Sequence, residues 1–125
     1  MITVNRGRPS RESLMKDTII NIEKTLINQV IDKVADVYEL PVKKMISKDR
    51  YRECVLARNM AYYILHTAYK QKASQIAPNF KRDRTTILHG LNTFVNDIEV
   101  IPFYMERYEK VMDSLFEPNN IYALQ

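Results

Sequence analysis

Apolar residues recur along the chain at spacings of three and four and nowhere alternate over a useful length, a period that belongs to helices with one buried face. Leu26, Ile27, Val30, Ile31, Val34 and Tyr38 form the first stripe. They predict a long helix from about Ser13 that stops near Leu40, because Pro41 lacks an N–H and restricts the residue before it. "PVKKMI" then opens a short helix with proline in its first turn and Met45 and Ile46 inward. The polar stretch "SKDRYRE", residues 47–53, breaks the period and reads as a loop. Leu56, Met60, Ile64 and Ala68 restore it, predicting a helix from about Cys54 to Tyr69 with Arg58 and Asn59 on its exposed side. After "KQKAS" comes a short apolar piece centred on Ile76 and Phe80, where Pro78 limits the helix to a single turn.

Asp83 suits the N-cap of the next helix, since its carboxylate can accept from the backbone N–H of Thr85 or Thr86 and opposes the helix dipole. Ile87, Leu88, Leu91, Val95 and Ile98 give that helix an apolar stripe to about Val100, before Pro102. Tyr104, Tyr108, Val111 and Leu115 mark a last helix that Pro118 ends. The expectation is therefore an all-α, compact helical bundle. Residues 1–12 form a basic tail, residues 13–101 the domain, and residues 102–125 an acidic C-terminal helix with its own tail.

With 125 residues, one domain can bury a core unaided. Only two glycines are present, which leaves few positions for hairpin turns. The net charge of +4 conceals an asymmetry: residues 1–96 hold 17 Lys/Arg against 9 Asp/Glu, and residues 97–125 hold 2 against 6. A body at +8 points toward nucleic acid or acidic surfaces. The tail, with three of the arginines, either adds phosphate contacts or has no role. One cysteine cannot form an internal disulfide, and no N-terminal h-region or membrane-spanning run is present, so a cytoplasmic, nucleoid-associated location without membrane contact is expected.

The chemistry is marked first by what it lacks. Neither G-x-x-x-x-G-K-[ST] nor G-x-G-x-x-G occurs, and two glycines could build neither loop, so no nucleotide is expected. Cys54, His66 and His89 are too few and scattered for zinc, so no metal or cofactor is expected either. No paired carboxylates or arranged nucleophile support a nuclease or recombinase, and the chain reads as a non-enzyme. Most of the eight tyrosines fall at helical spacing and belong to the core. What stands out is order: a short helix around Ile76 and Phe80, a tight polar turn, then a longer helix opening with Arg84, Thr85 and Thr86. In a helix-turn-helix the second helix enters the major groove by its N-terminal residues, where arginine can donate twice to guanine. The alternative is an ordinary solvated, capped helix start.

"VADVYELPVKKMISKDRYR", "ARNMAYYIL" and "FKRDRTTILHG" together resemble the C-terminal DNA-binding domain of DnaA, the bacterial replication initiator, over about residues 20–100. Members of that family carry V-A-x-x-Y-x-[IV], S-K-x-R-x-R, A-R-Q-[IM]-A and G-[GN]-R-D-H-[ST]-T-V-x-H-[AS] in this order. The resemblance implies a Trp-repressor-like fold, here with an extra C-terminal helix, and double-stranded DNA as the partner. It also implies roles. Arg50 matches the basic-loop arginine of the minor groove, and Arg58 and Asn59 match an Arg-Gln pair on the backbone. Asp83, Thr85 and Thr86 match residues that read bases and phosphates in the major groove, and His89 matches a histidine near the backbone. Lys48, Arg52, Lys81 and Arg82 add cations toward phosphate.

The chain departs from the pattern where the family histidine is Arg84, where G-[GN] shrinks to the single Lys81, and where Ala77 and Pro78 replace I-G-x. Base preference and turn geometry are thus open. The resemblance implies sequence-specific binding at sites like DnaA boxes, in replication initiation or its regulation. Without an ATPase module beside it, the domain resembles stand-alone proteins of phages or mobile elements. A second reading makes it a transcriptional regulator or interaction protein that modulates the replication initiator. In that reading Glu106, Glu109, Asp113 and Glu117 with the Tyr104–Leu115 stripe form a self-association or replication-protein surface; alternatively this helix completes the core.

Overall fold

A computed structural model of the chain describes residues 11–116, of which 11–23 by backbone alone. Six α-helices and one 3₁₀ turn make up the described residues: α1 Arg11–Val37, α2 Val42–Met45, α3 Arg52–Thr67, α4 Ala73–Ile76, the 3₁₀ turn Ala77–Phe80, α5 Arg84–Asp97 and α6 Tyr104–Leu115. The all-helical expectation holds. The basic tail before Arg11, and Glu117 with the residues after it, lie outside the described residues.

α3 is the central helix, covered by α1, α2, α4 and α5. Leu56, Met60 and Ile64 are buried as their spacing predicts, but so are Ala57, Ala61, Tyr62 and Leu65 on other sides of the helix. A helix covered all round cannot keep a solvated face. Arg58 and Asn59, expected on an exposed side, are accordingly only 6% and 8% exposed. α5 departs from expectation in the opposite sense. Its core face is Ile87, Gly90 and Phe94, whereas Leu88 and Val95 are 39% and 58% exposed. α5 stops at Asp97, short of Val100, because Val100 and Ile101 both donate to the Asp97 carbonyl and close a turn ahead of Pro102.

α6 folds back onto the body. Tyr104, Val111 and Leu115 are buried, and the Tyr104 hydroxyl donates to the Leu56 carbonyl at 2.7 Å. Arg107 donates to Glu53 at 2.8 Å and lies over the Tyr38 ring at 4.7 Å, which joins α6 to α3 and α1. Tyr104, Val111 and Leu115 of the stripe thus complete the core, while Tyr108 stays half-buried.

The shortage of glycine does not prevent tight turns. Glu39, Lys70, Lys81 and Phe103 all adopt the left-handed conformation. Glu39 closes α1 with Leu40 N–H donating to Ala35 O at 2.9 Å, the six-residue return of a Schellman cap.

Candidate nucleic-acid interface

The helix-turn-helix is built from local chemistry. Phe80 ends the 3₁₀ turn fully buried, its ring edge-to-face with Tyr62 at 4.8 Å, and Ile87 anchors the first turn of α5. Between them Lys81 takes φ 52° and ψ 44°, and Arg82 N–H returns to Ala77 O at 3.1 Å. The one lysine that stands for the family's glycine pair therefore makes the left-handed turn glycine would favour. Asp83 then caps α5, accepting from Thr86 N–H at 2.8 Å. That backbone N–H, with the Thr86 hydroxyl, holds the Asp83 carboxyl below its ordinary value. Arg84, Thr85 and His89 are exposed and Thr86 is half-buried, so the opening turn of α5 presents itself to solvent as a recognition helix must.

The basic loop is organised with equal care. Ser47 Oγ donates to Lys44 O at 2.6 Å and accepts from Asp49 N–H at 3.2 Å, while Asp49 Oδ1 accepts from Tyr51 N–H at 2.8 Å. These side-chain turns mimic backbone turns and fix the chain without secondary structure. The ammonium of Lys44 sits over the Tyr51 ring at 5.1 Å. Lys48, Arg50 and Arg52 are left exposed, with no hydrogen bond or ion pair among the described residues.

Two arginines join these segments. Arg58 donates through Nη1 to Met45 O at 3.1 Å and Ser47 O at 2.9 Å, and through Nη2 to Asp49 O at 2.6 Å. Arg82, from the turn before α5, donates through Nη2 to the same Ser47 carbonyl at 3.0 Å. Desolvation lowers the pKa of Arg58, the neighbouring Tyr62 opposing and Arg82 reinforcing the shift. Even so, a guanidinium stays charged in a protein, and its fork of donors suits several carbonyls at once. Arg58, expected as a backbone anchor at an exposed position, is thus turned inward, and Arg82, expected to draw phosphate, is held on Ser47. Asn59 is likewise buried, against Gly90: a Cβ on Gly90 would lie 2.7 Å from Asn59 Oδ1. The structure ties the loop that carries Lys48 and Arg50 to the turn before α5 through the hydrogen bond from Arg82 to Ser47. The organising roles of Ser47, Asp49 and Tyr51 were missed in sequence, although a Ser and an Asp two residues apart in a polar stretch are a turn signal.

The family model described as bacterial DnaA protein helix-turn-helix matches residues 27–93, from the packed part of α1 to near the end of α5. This chain belongs to that family. Chromosomal replication initiator proteins DnaA are similar to it: that of Methylacidiphilum infernorum is 31% identical over 107 residues, covering 83% of this chain and 24% of the relative. That of Oenococcus oeni is 28% identical over 117 residues, covering 89% and 26%, and that of Mycoplasma pneumoniae 31% over 70 residues, covering 56% and 16%. The chain therefore spans about a quarter of the length of the first of these DnaA proteins. The match contains the helix-turn-helix, the basic loop and both arginines of the Ser47 junction. Among the described residues of this DnaA-family chain, no helix is long and apolar enough to cross a membrane, and no group of three or more His, Cys, Asp and Glu is placed to hold a metal ion.

Proposed function

We propose that the protein binds double-stranded DNA through its helix-turn-helix, at sites resembling DnaA boxes, in replication initiation or its regulation. The observation that carries this reading is the Ser47 junction. Arg58 and Arg82 share the Ser47 carbonyl and so tie the basic loop to the turn that opens α5, which supports a reading in which both segments act on one duplex. Arg84, Thr85 and Thr86 face base edges in the major groove, where the Arg84 fork matches guanine O6 and N7. Arg50 enters the adjacent minor groove, and Lys48, Arg52, Lys81 and His89 meet phosphates. Asp83 sets the direction of α5 by its cap. Arg58 and Arg82 serve by positioning the loop.

Selection of bound duplexes from a random pool tests the proposal. A single preferred site is expected. On that site Arg84→Ala costs about 1–3 kcal/mol and flattens preference at one base pair. Lys48→Ala weakens all sequences alike and lowers the salt slope by about 0.9, as loss of one phosphate contact should. Unchanged affinity and preference in Arg84→Ala would refute the major-groove assignment.

A further inference from the structure

α5 carries more apolar surface than the fold covers. Beside its core face Leu88 and Val95 are exposed, while Leu91 and the C-cap residue Ile98 are only partly buried against the core. The C-terminal half of α5 opens into a groove of about 150 Å³ against α6, lined by Tyr63, Phe94, Val95, Ile98, Met105 and Tyr108. The floor is made of interlocked rings: Phe94 stacks on Tyr63 at 4.7 Å and meets Tyr108 at 5.7 Å. Such a floor keeps its shape without an occupant. Val95 and Met105 are 58% and 40% exposed on its walls.

The corner that leads into α6 adds a second observation. Residues 101–104 form a type II turn, with Tyr104 N–H donating to Ile101 O at 3.2 Å, Pro102 leading and Phe103 at φ 66° and ψ 0°. Glycine or asparagine suits that position, and a phenylalanine there is strained. Its ring is nonetheless 69% exposed, so the fold gains little from it. An apolar side chain held out on strained backbone, two residues before Met105 of the groove, is suited to a contact outside the chain.

Charge selects the occupant. Glu99 of the corner and Glu106, Glu109 and Asp113 of α6 are exposed. Arg107 is engaged with Glu53 and Tyr38, and Lys110 pairs with Glu106 at 3.7 Å, which leaves Glu99, Glu109 and Asp113 as the carboxylates without an ion pair among the described residues. A second copy placed by two-fold symmetry would set these carboxylates against their own counterparts. We propose that the groove docks an amphipathic helix of a partner protein, with one or two apolar anchors at helical spacing and lysines or arginines on its flanks. α5 is 14 residues long, roughly 20 Å at 1.5 Å per residue, and the groove lies at the end opposite Arg84–Thr86. Docking and DNA contact are therefore compatible.

A labelled synthetic peptide with leucines at i, i+4 and i+7 and flanking lysines is the probe, read by fluorescence polarisation against the full chain. Binding with Kd on the order of 10–100 µM is expected, as for a small interface. Val95→Asp and Met105→Glu, both at exposed positions, should each weaken it by about tenfold or more while leaving duplex DNA affinity unchanged. Phe103→Gly should weaken it without lowering the melting temperature. Equal binding by a peptide with glutamates in place of lysines, or unchanged binding to Val95→Asp, would overturn the proposal. A concentration-dependent dimer that Val95→Asp dissolves would assign the face to a second copy and overturn the occupant. So would a rise in peptide affinity when Ile121→Asp and Leu124→Asp are introduced into the full chain, since its own C-terminal segment would then be the occupant.

Discussion

Replacing Arg58 with lysine separates a buried clamp from a phosphate anchor, because it keeps the charge and removes the fork. The guanidinium makes three hydrogen bonds, to the carbonyls of Met45, Ser47 and Asp49, at 3.1, 2.9 and 2.6 Å. A hydrogen bond with a charged partner contributes about 1.5–3 kcal/mol net, and a buried carbonyl left unpaired adds its desolvation penalty. A lysine ammonium reaches one of the three carbonyls. Losing the other two therefore costs about 3 kcal/mol or more, which in a domain of this size lowers the melting temperature by roughly 10–20 °C. The loop carrying Lys48 and Arg50 is released at the same time, so affinity for the preferred duplex falls although no phosphate contact has been removed. Thermal melts by circular dichroism and salt-titrated binding measure both effects. A melting temperature within about 2 °C of the parent's, with duplex affinity and salt slope both close to the parent's, would refute the clamp, since lysine keeps the charge that a phosphate anchor needs.

Gly90→Ala should destabilise the domain by about 1–3 kcal/mol in urea titration despite the better helix propensity of alanine, since its Cβ would lie 2.7 Å from Asn59 Oδ1 and 2.7 Å from the Tyr62 ring, both buried and held; a gain in stability would show that α3 and α5 can separate freely. The lowered pKa of Asp83 contributes stability above its unfolded value of about 3.9, lost as pH falls through the lower folded value. Asp83→Asn caps without titrating, so the parent should lose stability relative to this variant below about pH 4 in urea midpoints, and parallel profiles would sink the idea. Lys81→Gly relieves the left-handed backbone and should leave stability unchanged or higher by about 1 kcal/mol, while weakening binding to every duplex with a shallower salt slope. A marked loss of stability would mean that the lysine side chain, not its backbone, holds the turn.

Most elements were legible because their causes are local. The stripe of α1 from Leu26 to Tyr38, the stop before Pro41 and the cap at Asp83 each depend on residues within a turn or two, and all are found in the fold. The helix-turn-helix order and the exposed Arg84 and Thr85 follow from the same local rules. What was not legible concerns neighbours. An arginine at position 58 reads as solvent-facing in any single-helix pattern, and only the arrival of α2 and the loop over α3 converts it into an internal donor.

By itself, then, the sequence determined where helices begin, turn and end, since periodicity, prolines and capping side chains act over a few residues. It also settled the family, through motifs that are contiguous stretches of chain. Tertiary structure decided which of two apolar faces α5 would bury and that Arg82 would reach Ser47 across 35 positions. It likewise decided that the α6 stripe would close the core while Val95, Phe103 and Met105 stayed outside. The reason is physical: a side chain's environment is set by whatever packs against it, and for these residues that partner lies on another helix.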